Sequence, residues 1–278
     1  PVRLQAPRPW KGSDYARLVA VFICAVTAFV LTFMQVGTLL PDVESPFASF
    51  GLECVRMLAG ISAAGMIGYG LVKLNVVKRE MAVQTGIAPI RDFFARYGWQ
   101  SAVLLLALIG LYRISDIVAG VISNVFYQDM GFNKEKIATA VKTFGVVVSI
   151  VGGFLGGLLS QRYSVLKILM LGAILSSATN LIFIQLSYVG HDLFWMYVAI
   201  TADNLASGLA GAAFVAFLSS LTSVSFTAVQ YAIFSSLMTL IPKVLGGYSG
   251  TIVDSVGYPI FFTFTTLIGV PVLGLIVL

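Results

Sequence analysis

Five ionisable side chains stand inside apolar runs of membrane-spanning length. They are Arg113 and Asp116 in the stretch from Gly98 to Phe126, Lys142 in Ile137 to Leu159, Asp203 in Leu193 to Leu218, and Lys243 in Phe226 to Tyr248. A charge at the centre of a bilayer costs about 2.5–3.5 kcal/mol, so all five facing lipid would cost on the order of 15 kcal/mol. They are therefore expected to face a polar cavity. Arg113 and Asp116 are three residues apart, about 60° apart on one helical face, where they can pair with each other or meet charges on neighbouring helices. A purely structural ion pair satisfies the same spacing. Cations near one side of a membrane suit an anionic solute, and mid-membrane carboxylates suit proton coupling. Asp116 has Arg113 on its own face, whereas Asp203 has no cation within one helical turn. Asp203 is thus the expected proton carrier, with Asp116 holding Arg113 for the solute, although Asp203 can equally serve to bond a neighbouring helix. Tyr112, Asn204, Gln230 and Tyr231 add hydroxyl and amide groups of the kind sugars need, although each can equally bond helix to helix.

The elements that must position these groups are membrane spans. Of 278 residues 58% are hydrophobic and only 10% charged, where soluble domains carry roughly 25% charged residues. The mean hydropathy of +0.95 agrees, so an integral, all-α membrane protein is expected. The net charge is +5, but in such a chain the placement of Lys and Arg informs more than their sum, and nucleic-acid binding is not implied. Cys24 and Cys54 lack metal-ligand spacing. The single histidine, His191, stands in a short loop with no partner at ligand spacing, so no metal site and no cofactor are expected. No GxSxG serine, His/Glu metal pair or pair of catalytic carboxylates is present, which argues against an enzyme.

In chain order, a polar basic stretch with Arg3, Arg8 and Lys11 precedes a span from Tyr15 to Leu40. It lacks the pattern of a signal peptide, and without an initiator Met the chain is expected to be part of a longer product. A short acidic turn with Asp42 and Glu44 leads to a glycine-rich span from Phe50 to Leu74. GMIGYG within that span suits helix packing rather than a nucleotide loop, because no strand precedes it. A basic segment with Lys78, Arg79, Arg91 and Arg96 follows, where Pro89 can open a short interfacial helix. Spans at Gly98–Phe126, Ile137–Leu159, Val165–Leu186, Leu193–Leu218, Phe226–Tyr248 and Tyr258–Leu278 bring the total to eight. With the amino end cytoplasmic, the inside loops hold eleven Lys and Arg and the outside loops only Lys134 and Lys136, which favours that topology. Gly152-Gly153-Phe154-Leu155-Gly156 recurs as Gly246-Gly247-Tyr248-Ser249-Gly250, the mark of three spans repeated in inverted orientation, a secondary-transporter signature.

GGLLSQRYSVLK, Gly156 to Lys167, resembles the loop motif of the major facilitator superfamily, with Gln161 where an acid is expected and Val165 where a base is. LYRISDIVAGVISNVFYQDMGFNKEKIATAVKTFG and DNLASGLAGAAFVAFLSSLTSVSFTAVQYAIFSSL are similar to the AmpG muropeptide permeases, over roughly residues 90 to 278. The resemblance implies a major-facilitator six-helix bundle over 98–278, a cytoplasmic interfacial linker over 77–97, and an inserted helix pair in 1–76. It implies as partner an amino-terminal six-helix bundle absent from this chain. It further implies proton-driven import of anhydro-muropeptides across the bacterial inner membrane, for cell-wall recycling and β-lactamase induction. A related permease for another bulky substrate, a siderophore or an acyl-coenzyme A, is the alternative. The charged positions of the family's cavity fall on Arg113, Asp116, Lys142, Asp203, Asn204 and Lys243.

Overall fold

The computed structural model describes residues 10–41, 43 and 46–278; Arg3, Arg8 and the acids of the first turn, Asp42 and Glu44, lie outside the described residues. The described residues form helices and no strand, and they make eight helical spans, some joining consecutive helices, that are long and apolar enough to cross a membrane. The protein is thus an all-α, multi-pass membrane protein. It divides into two compact units, Pro1–Arg91 and Asp92–Leu278.

In the first unit α1 (Gly12–Leu39) and α2 (Pro46–Lys73) pack as a hairpin. Close approach is possible because Gly60 has no side chain: a Cβ there would lie 2.8 Å from the Phe29 ring. Arg56 is held within the hairpin by an ion pair to Glu53, by stacking over Phe33 at 4.4 Å, and by the space Gly37 leaves for its guanidinium. Gly65, Gly68 and Gly70, the glycines of GMIGYG, are helical and face open space. At the other end of the hairpin Lys78 bonds Asp14 at 3.1 Å, over a small cluster of Val21, Val77 and Met81. The expected helix opening at Pro89 starts earlier, with α3 (Arg79–Ala82), and continues as a π-helical stretch over Val83–Ile87. Pro89 has no N–H to give, and a widened turn ahead of a proline absorbs that loss.

The second unit holds the remaining spans. α4 (Ala88–Leu111) bends at Gly98, whose φ of +73° only glycine adopts readily. It is followed by α5 (Ile114–Asp129), α6 (Lys134–Ile137), a π-helical stretch over Ala138–Phe144, and α7 (Gly145–Arg162). Then come α8 (Val165–Val189), α9 (Leu193–Leu221), α10 (Thr227–Gly246), α11 (Ser249–Val256), α12 (Tyr258–Ile268) and α13 (Val270–Val277). The span expected to stop at Tyr248 runs on through α11 to Val256. The reason is that Ser249 at the joint is fully buried and bonds the Val118 carbonyl of α5, which keeps the chain in the bundle.

The packing pairs follow a pattern. α7 packs on α9 and α10 on α5; α8 packs on α9 and α12 on α5; α8 and α12 pack on each other. Exchanging α5, α7, α8 with α9, α10, α12 interchanges the first four of these pairs and leaves the fifth unchanged, a correspondence of the kind a repeat of three spans produces. Gly152, Gly153, Gly156 and Gly246 of the repeated glycines sit at these seams, whereas Gly250 faces open space. A Cβ on Gly246 of α10 would lie 2.9 Å from Val121 of α5, and one on Gly156 of α7 would lie 2.6 Å from the Leu209 carbonyl of α9. At Gly152 it would collide with the Leu205 carbonyl outright. Such small-residue stripes let backbones touch where lipid supplies no hydrophobic drive.

Gly152→Ala is accordingly expected to destabilise the detergent-solubilised chain by about 1–3 kcal/mol, the cost of overpacking. Gly157, on the open side of the same helix, provides the control: there alanine is expected to stabilise by about 0.5–1 kcal/mol through helix propensity. Equal effects of the two substitutions in thermal unfolding would show that the α7–α9 seam is not the tight contact.

Candidate functional site

The stretch from Gly98 to Phe126 is not one continuous helix. α4 stops at Leu111 and α5 starts at Ile114, with Arg113 outside helical geometry at φ −100°, ψ 16°. The break costs little backbone bonding, since Tyr112 N–H still reaches Leu108 O and Ile117 N–H reaches Arg113 O, each at 2.9 Å. Broken helices at membrane depth are tolerated only where such bonds or a protein cavity satisfy the backbone. The break places Arg113 at the N-cap of α5 and Asp116 in its first turn, where the positive end of the helix dipole favours a carboxylate.

Three side chains close on one another there. Arg113 Nε donates to Asp116 Oδ2 at 3.0 Å, and its Nη2 bonds the same oxygen. Nη2 also donates to Ser207 Oγ of α9 at 2.8 Å, while that hydroxyl donates to Asp116 Oδ2 at 3.4 Å. One hydroxyl can accept and donate at once, so the triangle closes between α5 and α9. The Arg113 and Asp116 side chains are 25% and 12% exposed, largely withdrawn from water. Asp203 lies one helical turn before Ser207 on α9 and feels the charges of both Asp116 and Arg113; Tyr127 of α5 in turn feels Asp203. Asn204, beside it, donates to the Ile200 carbonyl at 2.9 Å and packs against Gly145 at the start of α7.

The other sequence-designated residues lie apart from this group. Tyr112 is buried, donates its hydroxyl to the Leu169 carbonyl of α8 at 3.1 Å and stacks on Phe214 at 4.5 Å. Tyr231 is half-buried against the core. Lys142, in the π-helical stretch, and Lys243, beside Pro242, are exposed, and neither is in an ion pair among the described residues. Gln230 is 1% exposed and belongs to another cluster. It donates to Asp92 at 3.0 Å, accepts from Arg96 at 3.1 Å and from the Ser223 backbone at 2.7 Å, and Arg96 also bonds the Leu221 carbonyl. That cluster ties the start of α4 to the turn between α9 and α10. Gln230→Leu is expected to cost about 1–3 kcal/mol, the penalty of leaving polar partners unmade, and to lower the melting temperature of the solubilised chain. An unchanged melting temperature would mean that water replaces the amide at no loss.

Ser207 and Asp92 went unmarked in the sequence, and Arg96 stood there only as a charge of the basic linker. Ser207 carried one signal, its position four residues after Asp203 and so on the same helical face. A third polar group lies deeper between α5, α8 and α12: Asn180, fully buried, donates to Ser115, whose hydroxyl donates to the Thr265 carbonyl.

No family model matches the chain. Curated proteins do. The anhydromuropeptide permease of Escherichia coli is 36% identical over 196 residues, 70% of this chain and 39% of the permease. A Rickettsia conorii protein named as transporter AmpG 4 is 31% identical over 201 residues, 72% of this chain and 48% of that protein. A Rickettsia typhi protein named as transporter AmpG 3 is 29% identical over 245 residues, 84% of this chain and 58% of its own length. The chain spans about half the length of the curated relatives it matches. At 31–36% identity over more than two thirds of its residues, this chain belongs to the AmpG permease family.

Proposed function

We propose that the chain supplies the carboxyl-terminal bundle of a proton-driven transporter that carries anhydro-muropeptides from periplasm to cytoplasm, serving cell-wall recycling and β-lactamase induction. The observation that carries this reading is the Arg113–Asp116–Ser207 triangle at a helix break within a membrane span, with Asp203 one turn away. Charges so placed are expensive unless used. The name of the Escherichia coli relative supplies the substrate class, and the span pairing supports a major-facilitator bundle over 98–278. Residues 77–97 are then a cytoplasmic linker and 1–76 hold an added helix pair. The relatives' greater length supports a second six-span bundle as partner. The bias of Lys and Arg supports a cytoplasmic amino end, and helical rather than β-barrel spans support the inner membrane.

In this reading Lys142 and Lys243 meet the anionic solute from outside, and Asn204 and the hydroxyl groups orient it. Asp203 takes a proton from the periplasm and releases it inside. Arg113 is held by Asp116 and Ser207 until the solute draws on it. The test is uptake of a labelled disaccharide-peptide by proteoliposomes that hold this chain together with an amino-terminal six-span bundle. An inward proton gradient is expected to drive accumulation, and a protonophore to abolish it. Uptake that ignores the gradient would overturn proton coupling, and no uptake at all would overturn the substrate class.

A further inference from the structure

At the end of α5 distant from Arg113, a cavity of about 200 Å³ opens between two helical stripes. One stripe is Asn124 and Gln128 of α5, one turn apart; the other is Lys134, Ile137, Ala138, Val141 and Lys142, which run from α6 into the π-helical stretch. Spacings of three, four, seven and eight residues put that second set on one face. At about 30 Å³ per water the space holds roughly six or seven waters, or one acidic side chain.

The polar lining is complementary to a particular chemistry. Both lysines are exposed and in no ion pair among the described residues. The nearby acids do not neutralise them: Glu135 lies off the stripe, and Asp129 takes the hydroxyl of Tyr258. Gln128 donates its amide nitrogen to the Asn124 carbonyl at 3.2 Å, which leaves its amide oxygen to accept. The site therefore offers ammonium donors for a carboxylate, a carboxamide oxygen for an N–H, and an apolar floor of Ile137, Ala138 and Val141 for the methylenes between. Widened π turns recur at functional sites because the extra residue re-aims a side chain, and here the widened turn carries Lys142.

We propose that this cavity is a binding subsite for the carboxylate of an acidic peptide, with Lys134 and Lys142 as the paired cations. It rests on the reading above only where that peptide is equated with the peptide arm of the transported solute. Two charge-assisted hydrogen bonds support a Kd on the order of 1 mM.

The test is site-resolved amine footprinting of the full chain in lipid nanodiscs, with a water-soluble acylating reagent and mass spectrometry. The probe is Ala-Glu-Ala; its counterpart Ala-Gln-Ala amide has the same size and no carboxylate. At about 10 mM, tenfold above that Kd, the acidic peptide is expected to slow acylation of Lys134 and Lys142 about tenfold. Lys136, off the stripe, is expected to be unaffected. Equal protection by the amide, or no more protection than at Lys136, would overturn the subsite. In proteoliposomes, Lys134→Gln with Lys142→Gln is expected to raise the KM for a disaccharide-peptide about tenfold, and Lys134→Arg with Lys142→Arg to restore it. Footprint protection without any muropeptide uptake would sink the transported solute and keep the subsite. Uptake without protection would sink the subsite alone.

Discussion

Asp203→Asn is expected to abolish uphill accumulation of solute while leaving downhill exchange intact. The substitution keeps the shape of the side chain and removes its titration, so a transporter that needs the carboxylate to carry protons loses its drive but keeps its path. The packing around Asp203 permits the exchange: it is partly buried on α9, with Asn204 bonded to the helix's own backbone and Ser207 bonded across to α5. Asp116 and Arg113 of α5 act on it, and it acts in turn on Tyr127 of α5; Lys142 precedes α7, the other helix packed on this part of α9. The measurement is paired: accumulation under an imposed proton gradient, and counterflow with no gradient, in the same proteoliposomes. Loss of both would assign Asp203 to the solute path instead. Retention of both would remove it from coupling altogether.

The number and placement of the spans was legible because hydrocarbon imposes one strong rule, about 20 consecutive apolar residues per crossing, and this chain obeys it eight times. What hydropathy cannot register is a defect inside an apolar run. The break at Tyr112 and Arg113 has no proline and no glycine at the joint. It is set by tertiary bonds, Tyr112 to Leu169 and Arg113 to Ser207, which no local window contains. The same holds for α11, which continues where the glycine pair and Tyr248 read as a stop, because Ser249 finds a carbonyl on α5.

The candidate site was half legible for a related reason. Intramembrane charge is conspicuous, so Arg113, Asp116 and Asp203 stood out, and their three-residue spacing gave the pairing of the first two. Spacing along one helix says nothing of neighbours on another, however. Asp203 looked remote from any cation, yet Arg113 acts on it through space. Gln230 read equally as a sugar ligand or as a bond between helices, and its amide is engaged by Asp92, Arg96 and the Ser223 backbone. Polar residue type marks where a bond will be made; only the packing decides with whom.

The Arg113–Asp116 pair gives the largest expected loss of stability, and its size separates a charge held for use from one held for packing. Asp116→Ala removes the anion and leaves a largely buried guanidinium with only the Ser207 hydroxyl. Breaking a buried pair from one side costs about 3–5 kcal/mol, whereas replacing both partners by apolar groups of similar volume is often neutral or stabilising. At about 2–4 °C per kcal/mol the single variant is expected to melt on the order of 10 °C lower. Arg113→Met with Asp116→Leu is expected to melt close to the parent while losing transport. A double variant as unstable as the single would mean that the pair is needed to hold α5 against α9, a packing role. The single variant also tests whether Arg113 can turn to the other carboxylate. If Asp116→Ala melts near the parent by itself but far below it on the Asp203→Asn background, Arg113 has shifted its bond from Asp116 to Asp203, an exchange of partners that the proposed coupling of proton and solute can use.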